Sequence, residues 1–320
     1  MKQFMFPKTA LLSFAVLAYA GSASAIGETP ETLDGMYNIP IDSSVIDFVN
    51  SALPEATVNA DYINPNYDGY LSLNQNATVS VSFLNEGAGY RNSVGYFTFE
   101  DGSFDGLTKS SVDTNGNGNI SLTELSKVNG TNWGWLYPNA SKVNSGGVLQ
   151  TGDTVDIAGL NDAQNIGFFL APDAWNGQTV VGGSIQGNDG LAYYSTSFLN
   201  PESWSGADFD ATADAPAYWD ETGSYGPRGD LGYGTNGAYT HTTLLSETAD
   251  LTQVIMGFED LRYGGDKDYN DVIFMVTATP ATAFGGSNIA TAPVPSLSGG
   301  VFGLLGTIGV MMMGGRRRKA

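Results

Sequence analysis

An all-β fold, a single β-sandwich of jelly-roll type with one inserted loop and a minor helix, is predicted for this 320-residue chain by three observations. Apolar and polar residues alternate through Thr78-Val79-Ser80-Val81-Ser82-Phe83-Leu84, and a period of two sends successive side chains to opposite faces of a strand. No segment sustains a helical period for long. Clusters of Gly, Asn, Asp and Ser separate the short runs, and the 42 glycines supply the turns that such a meander needs. No internal repeat of fixed period occurs, so propellers and solenoids lack support.

In chain order, residues 1–25 read as a signal peptide. Lys2 and Lys8 flank an apolar run from Leu11 to Ala18, and Ala23-Ser24-Ala25 forms the small-x-small pattern of a cleavage site. The run is shorter than the roughly 20 residues that span a bilayer, so export with a mature start at Ile26 is expected. Ser44–Ser51 is the best helix candidate, with Val45, Ile46, Phe48 and Val49 on or near one side. Strands are expected at Thr78–Leu84, Val94–Phe99, Thr154–Ile157, Asn165–Leu170, Gln178–Val181, Leu191–Ser195, Thr252–Phe258 and Val272–Thr277, and a short helix at Leu122–Val128. Pro201–Tyr239, rich in acids, aromatics and glycine, reads as a long ordered loop. The domain is expected to span 26–279, with 280–293, rich in Ala, Thr, Gly and Pro, as a linker.

The tail, 294–320, has a short motif, an apolar Gly-rich segment and the basic stop Arg316-Arg317-Arg318-Lys319. Leu297 to Gly315 is 19 residues, about 28 Å as a helix and only a marginal transmembrane-like span. The basic cluster would stay cytoplasmic, leaving the body outside the inner membrane. This tail resembles the PEP-CTERM sorting signals of Gram-negative bacteria, which implies cleavage by an exosortase-like sorting protease. Val294-Pro295 matches that pattern, whereas Ser296-Leu297 stands where Glu-Pro is usual. Ser298-Gly299-Gly300 also resembles the GlyGly-CTERM signal handled by a rhomboid-type protease, and a simple single-span anchor is a third reading. The first two imply transient inner-membrane association, then a cell-surface or extracellular location.

Composition removes whole classes of function. Asp plus Glu number 33 against 13 Lys plus Arg, for a formal charge of −20. Removing both processed ends takes out six basic residues and no acid, leaving 7 against 33, a charge of −26. Such a surface repels nucleic acid, whose binding needs clustered cations. With no cysteine and one histidine there are no disulfides, thiolate zinc sites, thiol nucleophiles or paired-histidine zinc motifs.

The acids concentrate in two places. Asp113-Thr114-Asn115-Gly116-Asn117-Gly118-Asn119-Ile120-Ser121-Leu122-Thr123-Glu124 fits the twelve-residue EF-hand-type calcium loop. Calcium takes six to eight oxygens, and Asp113, Asn115, Asn117, the Asn119 carbonyl, Ser121 and a two-oxygen Glu124 offer them. Gly118 permits the sharp turn and Ile120 can pin the loop to a core. No entering helix or second loop accompanies it, so the reading is an isolated, inserted site of weak affinity. A metal-free Asn/Gly turn is the plain alternative.

The second is Gly257-Phe258-Glu259-Asp260-Leu261-Arg262-Tyr263-Gly264-Gly265-Asp266-Lys267-Asp268-Tyr269-Asn270-Asp271. If the flanking strands pair as a hairpin, Glu259 and Asp260 at the end of one face Asp266, Asp268, Asn270 and Asp271 at the start of the other. Crowded carboxylates raise one another's pKa and destabilise a fold unless a cation intervenes. Oxygen donors without His or Cys select a hard ion, and extracellular calcium is the available one. A solvated turn with two salt bridges is the alternative.

This segment, with Val272-Ile273-Phe274, closely resembles the signature of the bacterial family known as domain of unknown function 4114. Gly87–Tyr96, Ser145-Gly146-Gly147 before Gly152–Val155, and Ile166–Leu170 look like accompanying elements. The resemblance implies an exported β-rich surface protein whose acidic signature binds calcium, but no reaction.

The function expected is therefore an exported calcium-binding surface or extracellular-matrix protein, with exopolysaccharide as candidate partner. Tyr193, Tyr194, Trp204, Tyr218, Trp219, Tyr225 and Tyr233 are candidates for stacking on sugars. The competing class is a secreted polysaccharide hydrolase or lyase working with carboxylates, for which His241 is the one imidazole available as a base. No spacing singles out a catalytic pair, and no G-x-S-x-G elbow or P-loop occurs.

Overall fold

A computed structural model describes residues 31–57, 62, 69–181, 191–196, 199–200, 218–219, 225–226, 241–247, 249–261 and 267–291. Two sheets face each other. The larger contains β1 (Tyr37–Asn38), β3 (Ala77–Asn85), β6 (Asp153–Leu160), β11 (Thr242–Ser246), β12 (Gln253–Phe258), β13 (Val272–Thr279) and β14 (Ala290–Thr291), in spatial order β1-β6-β3-β13-β12-β11-β14. The smaller has β2 (Tyr70–Ser72), β7 (Gln164–Ala171), β4 (Ser93–Glu100) and β5 (Asn132–Tyr137) in that order, and β8 (Tyr193–Tyr194) pairs with β7. Pairing is antiparallel except between β11 and β14. A separate two-stranded ribbon joins β9 (Tyr218–Trp219) and β10 (Tyr225–Gly226). The all-β sandwich predicted from alternation is the observed architecture.

The alternation has a direct structural meaning. Val79, Val81 and Phe83 of β3, Val254, Met256 and Phe258 of β12, and Phe274 and Val276 of β13 point into the space between the sheets. They meet Val94 of β4, Leu136 of β5, and Ile166, Phe168 and Leu170 of β7. The Phe168 and Phe274 rings lie 5.3 Å apart across this seam. Both outer faces are covered as well, which is why β7 and β13 read as nearly unbroken apolar runs.

Helix α1 (Ser43–Ala52) covers the larger sheet with Val45, Val49 and Ala52, packing on Leu84, Leu245, Ile255, Ile273 and Met275. The Val45–Val49 spacing of four places both on one helix face, and Asp42 caps the start by accepting from the Ser44 N–H at 2.8 Å. The smaller sheet presents Phe97, Phe99, Phe169 and Tyr194, which are covered by Val112, Ile120 and Leu125. These belong to the stretch that carries α2 (Lys109–Val112) and α3 (Leu122–Leu125).

Several expectations are corrected. Residues 280–293 are not a free linker through 291: Ala283 and Phe284 are fully buried in the main core, Ile289 joins them, and β14 pairs with β11. Gln178–Val181 forms only an isolated bridge, Val180 with Trp175. Leu191–Ser195 shrinks to the two residues of β8, and Leu122–Val128 to the single turn of α3 followed by hydrogen-bonded turns. Strand β5 went unpredicted because glycine interrupts Trp133-Gly134-Trp135, but the Gly134 site faces the Tyr96 ring too closely for a side chain. Among the described residues no helix is long and apolar enough to cross a membrane. The proposed signal peptide, the tail 294–320 and most of Pro201–Tyr239 lie outside the described residues.

Candidate metal centre

The predicted hairpin forms. β12 and β13 pair in register from Gln253↔Thr277 to Phe258↔Val272. One more pairing step follows, in which the Asp271 N–H donates to the Phe258 carbonyl at 3.1 Å, and then the strands part. At this fork the carboxylates of Glu259, Asp260 and Asp271 converge, each offering an oxygen such that all three lie within 4.8 Å of one another. Glu259 and Asp260 are buried, at 1 % and 3 % exposure. The cluster can hold a metal ion.

Backbone and side-chain donors fix its members. Asp271 Oδ2 accepts from the Asp260 N–H at 2.7 Å, and Glu259 Oε2 from the Lys267 N–H at 3.0 Å. Asn92 donates Nδ2 to Asp260 Oδ2 at 2.8 Å while its Oδ1 accepts from the Asp173 N–H, so the amide orients Asp260 from the opposite sheet. Burial, and next the Asp260 charge, push the Asp271 carboxyl well above the usual carboxylate range, against the opposing hydrogen bonds from the Asp260 N–H and the Glu259 side chain. A cation would reverse that sign by stabilising the ionised forms.

Asp268 and Asn270 find hydrogen-bond partners outside the three-carboxylate cluster, and the Asp268 charge still acts on Asp271. Asp268 Oδ2 accepts from the Ala56 N–H at 2.7 Å and from Asn270 Nδ2 at 2.9 Å, and Asn270 Nδ2 also reaches Glu55 Oε2 at 3.1 Å. Asp268 and Asn270 thus tie the loop to the segment after α1. Lys267 and Tyr269, on either side of Asp268, adopt the left-handed backbone region at φ 64° and 57°, a conformation unfavourable for residues other than glycine. Asp266 lies outside the described residues.

Glu86 was not anticipated. It follows β3, is 2 % exposed, and its Oε1 has no hydrogen-bond partner among the described residues. Burial raises its pKa, the adjacent Lys142 opposes this, and the Asp260 charge adds to it. The only sequence signal was an acid ending an alternating strand just before Gly87-Ala88-Gly89. At Gly87 itself a Cβ would stand 2.5 Å from Asn270 Oδ1, so a larger residue there would displace the Asn270 side chain.

The loop 113–124 sits over the smaller sheet. Ile120 is 1 % exposed and its carbonyl accepts from the Tyr194 hydroxyl at 2.7 Å, the anchoring role expected of it. Asp113 Oδ1 accepts from the Gly116 and Asn117 N–H groups and Oδ2 from that of Gly118. Asn115 and Asn117 Oδ1 accept from the N–H groups two residues on, giving successive Asx turns. Gly116 and Gly118 take φ of 72° and 85°, values that the loop path needs and glycine provides. Ser121 caps α3 in a reciprocal capping box with Glu124, whose Oε1 also accepts from the Thr114 and Asn115 N–H groups. The side-chain oxygens of Asp113, Asn115, Asn117 and Glu124 are all taken up by N–H donors of the loop itself, with Asp113, Asn119 and Glu124 buried and Asn115 and Asn117 exposed.

Glu124 supplies a pH dependence. Burial alone would raise its carboxyl, but hydrogen bonds from Ser121, Asn115 and Thr114 outweigh burial and hold it below its ordinary 4.5. An acid lowered on folding stabilises above its unfolded value and loses that contribution as pH falls through the folded one. The Glu124 share of the melting temperature in chelator should therefore be lost as pH drops below 4.5, against the opposite trend that Asp271 contributes, and Glu124→Gln should decline less steeply than wild type over that range. An equally steep decline in the variant would refute the assignment.

His241 is fully buried, stacked on Tyr193 with centroids 3.7 Å apart, and its Nδ1 lies 3.2 Å from the Glu259 carbonyl. It lies against the backbone at the fork and is closed off from solvent. Tyr193 and Tyr194 are likewise fully buried, which removes both from the sugar-stacking candidates. Trp204 and Tyr233 lie outside the described residues.

Fold and site together define a β-sandwich protein with a buried carboxylate cluster able to hold a metal ion. Residues 160–279 match the family model described as domain of unknown function (DUF4114), a stretch that takes in the whole acidic motif and the strands β7 to β13. The Gly87–Tyr96 and Ser145–Val155 elements and the loop 113–124 lie outside it. Comparison with curated proteins and with solved structures gives no match.

Proposed function

We propose that the cluster of Glu259, Asp260 and Asp271 binds calcium, that the EF-hand-type loop 113–124 binds a second ion, and that the protein is an exported, calcium-stabilised component of the cell surface or extracellular matrix. The observation that carries this reading is the convergence of three carboxylates within 4.8 Å, two of them almost fully buried. Repulsion at that distance in a region of reduced dielectric is unfavourable without a counter-ion, and an all-oxygen donor set suits a hard divalent cation. The N-terminal export pattern and the PEP-CTERM-like tail support an oxidising, calcium-rich location, with an exosortase-like protease acting on the tail.

Exopolysaccharide is the proposed partner. The mature charge of −26 favours metal-bridged contact with an acidic polymer over direct ion pairing. Pull-down of the protein on exopolysaccharide is expected with calcium present and lost in excess chelator; no retention on any polysaccharide in either condition would reduce the role to a structural one. The hydrolase or lyase alternative has less support. Its carboxylates would need access to a sugar, whereas Glu259 and Asp260 are buried and His241 is sealed beneath Tyr193. Release of reducing ends or unsaturated products in the same incubation would favour the enzyme.

A further inference from the structure

We propose that Glu86 is a fourth carboxylate ligand of the cation at Glu259, Asp260 and Asp271, closing the site from a neighbouring strand of the sheet. The inference rests on the calcium reading of that cluster and extends it to a residue outside the acidic motif. Asn85, the last residue of β3, pairs with Ile273 of β13, and the Gly87 N–H donates to the Asn270 carbonyl at 3.0 Å. Glu86 therefore stands directly across from Asp271 and Val272, beside the fork where the three carboxylates meet.

Its side chain is positioned but incompletely satisfied. Oε2 lies 3.5 Å from the Lys142 N–H, while Oε1 is buried and has no hydrogen-bond partner among the described residues. The Lys142 ammonium is directed at the Glu86 carbonyl, 2.5 Å away, and at Asn85 Oδ1, 3.2 Å away. The Asp260 carboxylate is close enough to repel that of Glu86. A buried anionic oxygen without a donor is costly, and the Asp260 charge adds to that cost while Lys142 offsets only part of it. One divalent ion resolves both problems, since calcium accepts six to eight oxygens and three carboxylates alone seldom fill that shell. Glu86 lies outside the 4.8 Å group, so ion binding draws Oε1 inward.

Calorimetric titration of the intact protein with calcium chloride, alongside melting curves, tests this. Asp271→Asn identifies which binding isotherm belongs to the cluster by abolishing it. Glu86→Gln should weaken that isotherm about 10- to 100-fold and leave any other unchanged, while melting at or above the wild-type temperature in chelator because an unmatched charge has been removed. Glu86→Asp, which keeps the charge on a shorter stem, should give a smaller loss and guards against a folding defect in the glutamine variant. Affinity within twofold of wild type for both Glu86 variants overturns the fourth ligand and leaves the three-carboxylate site standing. No calcium isotherm that Asp271→Asn removes overturns the calcium reading and the ligand with it.

Discussion

Chelation of divalent cations should lower the melting temperature of the protein by about 5–10 °C. An ion present at 100 times its dissociation constant contributes about 2.7 kcal/mol by mass action, and each kcal/mol moves the midpoint of a domain of this size by about 2–4 °C. Asp271→Asn should remove the calcium-dependent increment and little else, because the amide relieves the repulsion that the metal-free cluster suffers. Asp268→Asn should behave differently. Its carboxylate accepts from the Ala56 N–H and Asn270, so its loss lowers the melting point with or without calcium. A pH series separates the states further. In chelator the raised pKa of Asp271 means that stability is lost as pH rises above its ordinary 3.8 through the folded value, since the native state holds the proton longer. Bound calcium should suppress that decline. Melting curves that chelator leaves unchanged would remove the metal assignment.

Phe274→Ala should cost about 3–5 kcal/mol, the range for a buried aromatic truncated in a core that cannot collapse around the gap. Phe274 is fully buried in the central strand of the larger sheet, 5.3 Å from Phe168 of the opposing sheet and 6.1 Å from Phe258 beside it. The loss removes contacts on two layers at once. Val148, 46 % exposed, is the control, and Val148→Ala should lie within about 0.5 kcal/mol of wild type. Urea unfolding with the midpoint and slope fitted together reads both. A cost under about 1 kcal/mol for Phe274→Ala would contradict the sandwich seam.

Legibility in the sequence followed how local each feature was. Strand β3 was readable because its period of two survives, and β4, β12 and β13 because short apolar runs bounded by turn residues mark strands buried on both faces. The turn geometry of the loop 113–124 and the meeting of Glu259 and Asp260 with Asp271 were readable because each lies within fifteen residues of chain. Glu86 and Asn92 were not, since their part in the site depends on strand pairing across the sheet: Asn92 reaches Asp260 over a separation of 168 residues. Phe284 was hidden in a segment whose Ala, Thr and Gly resemble a linker, although one aromatic there plugs the core. Tyr193 and Tyr194 stood as stacking candidates only, and their burial gives them the packing role that aromatics more often have, since aromatic abundance does not distinguish a binding face from a packed one.

The place of β13 in its sheet governs when the fold can form. It lies between β3 and β12, and its pairing with β3 joins Ile273 to Asn85, so the central strand reaches its first neighbour only after roughly 190 further residues have emerged. Until then β3 has one unfilled edge, and the seam lacks Phe274 and Val276. The seam between the sheets is therefore closed by a strand that follows nearly all of its partners in the chain.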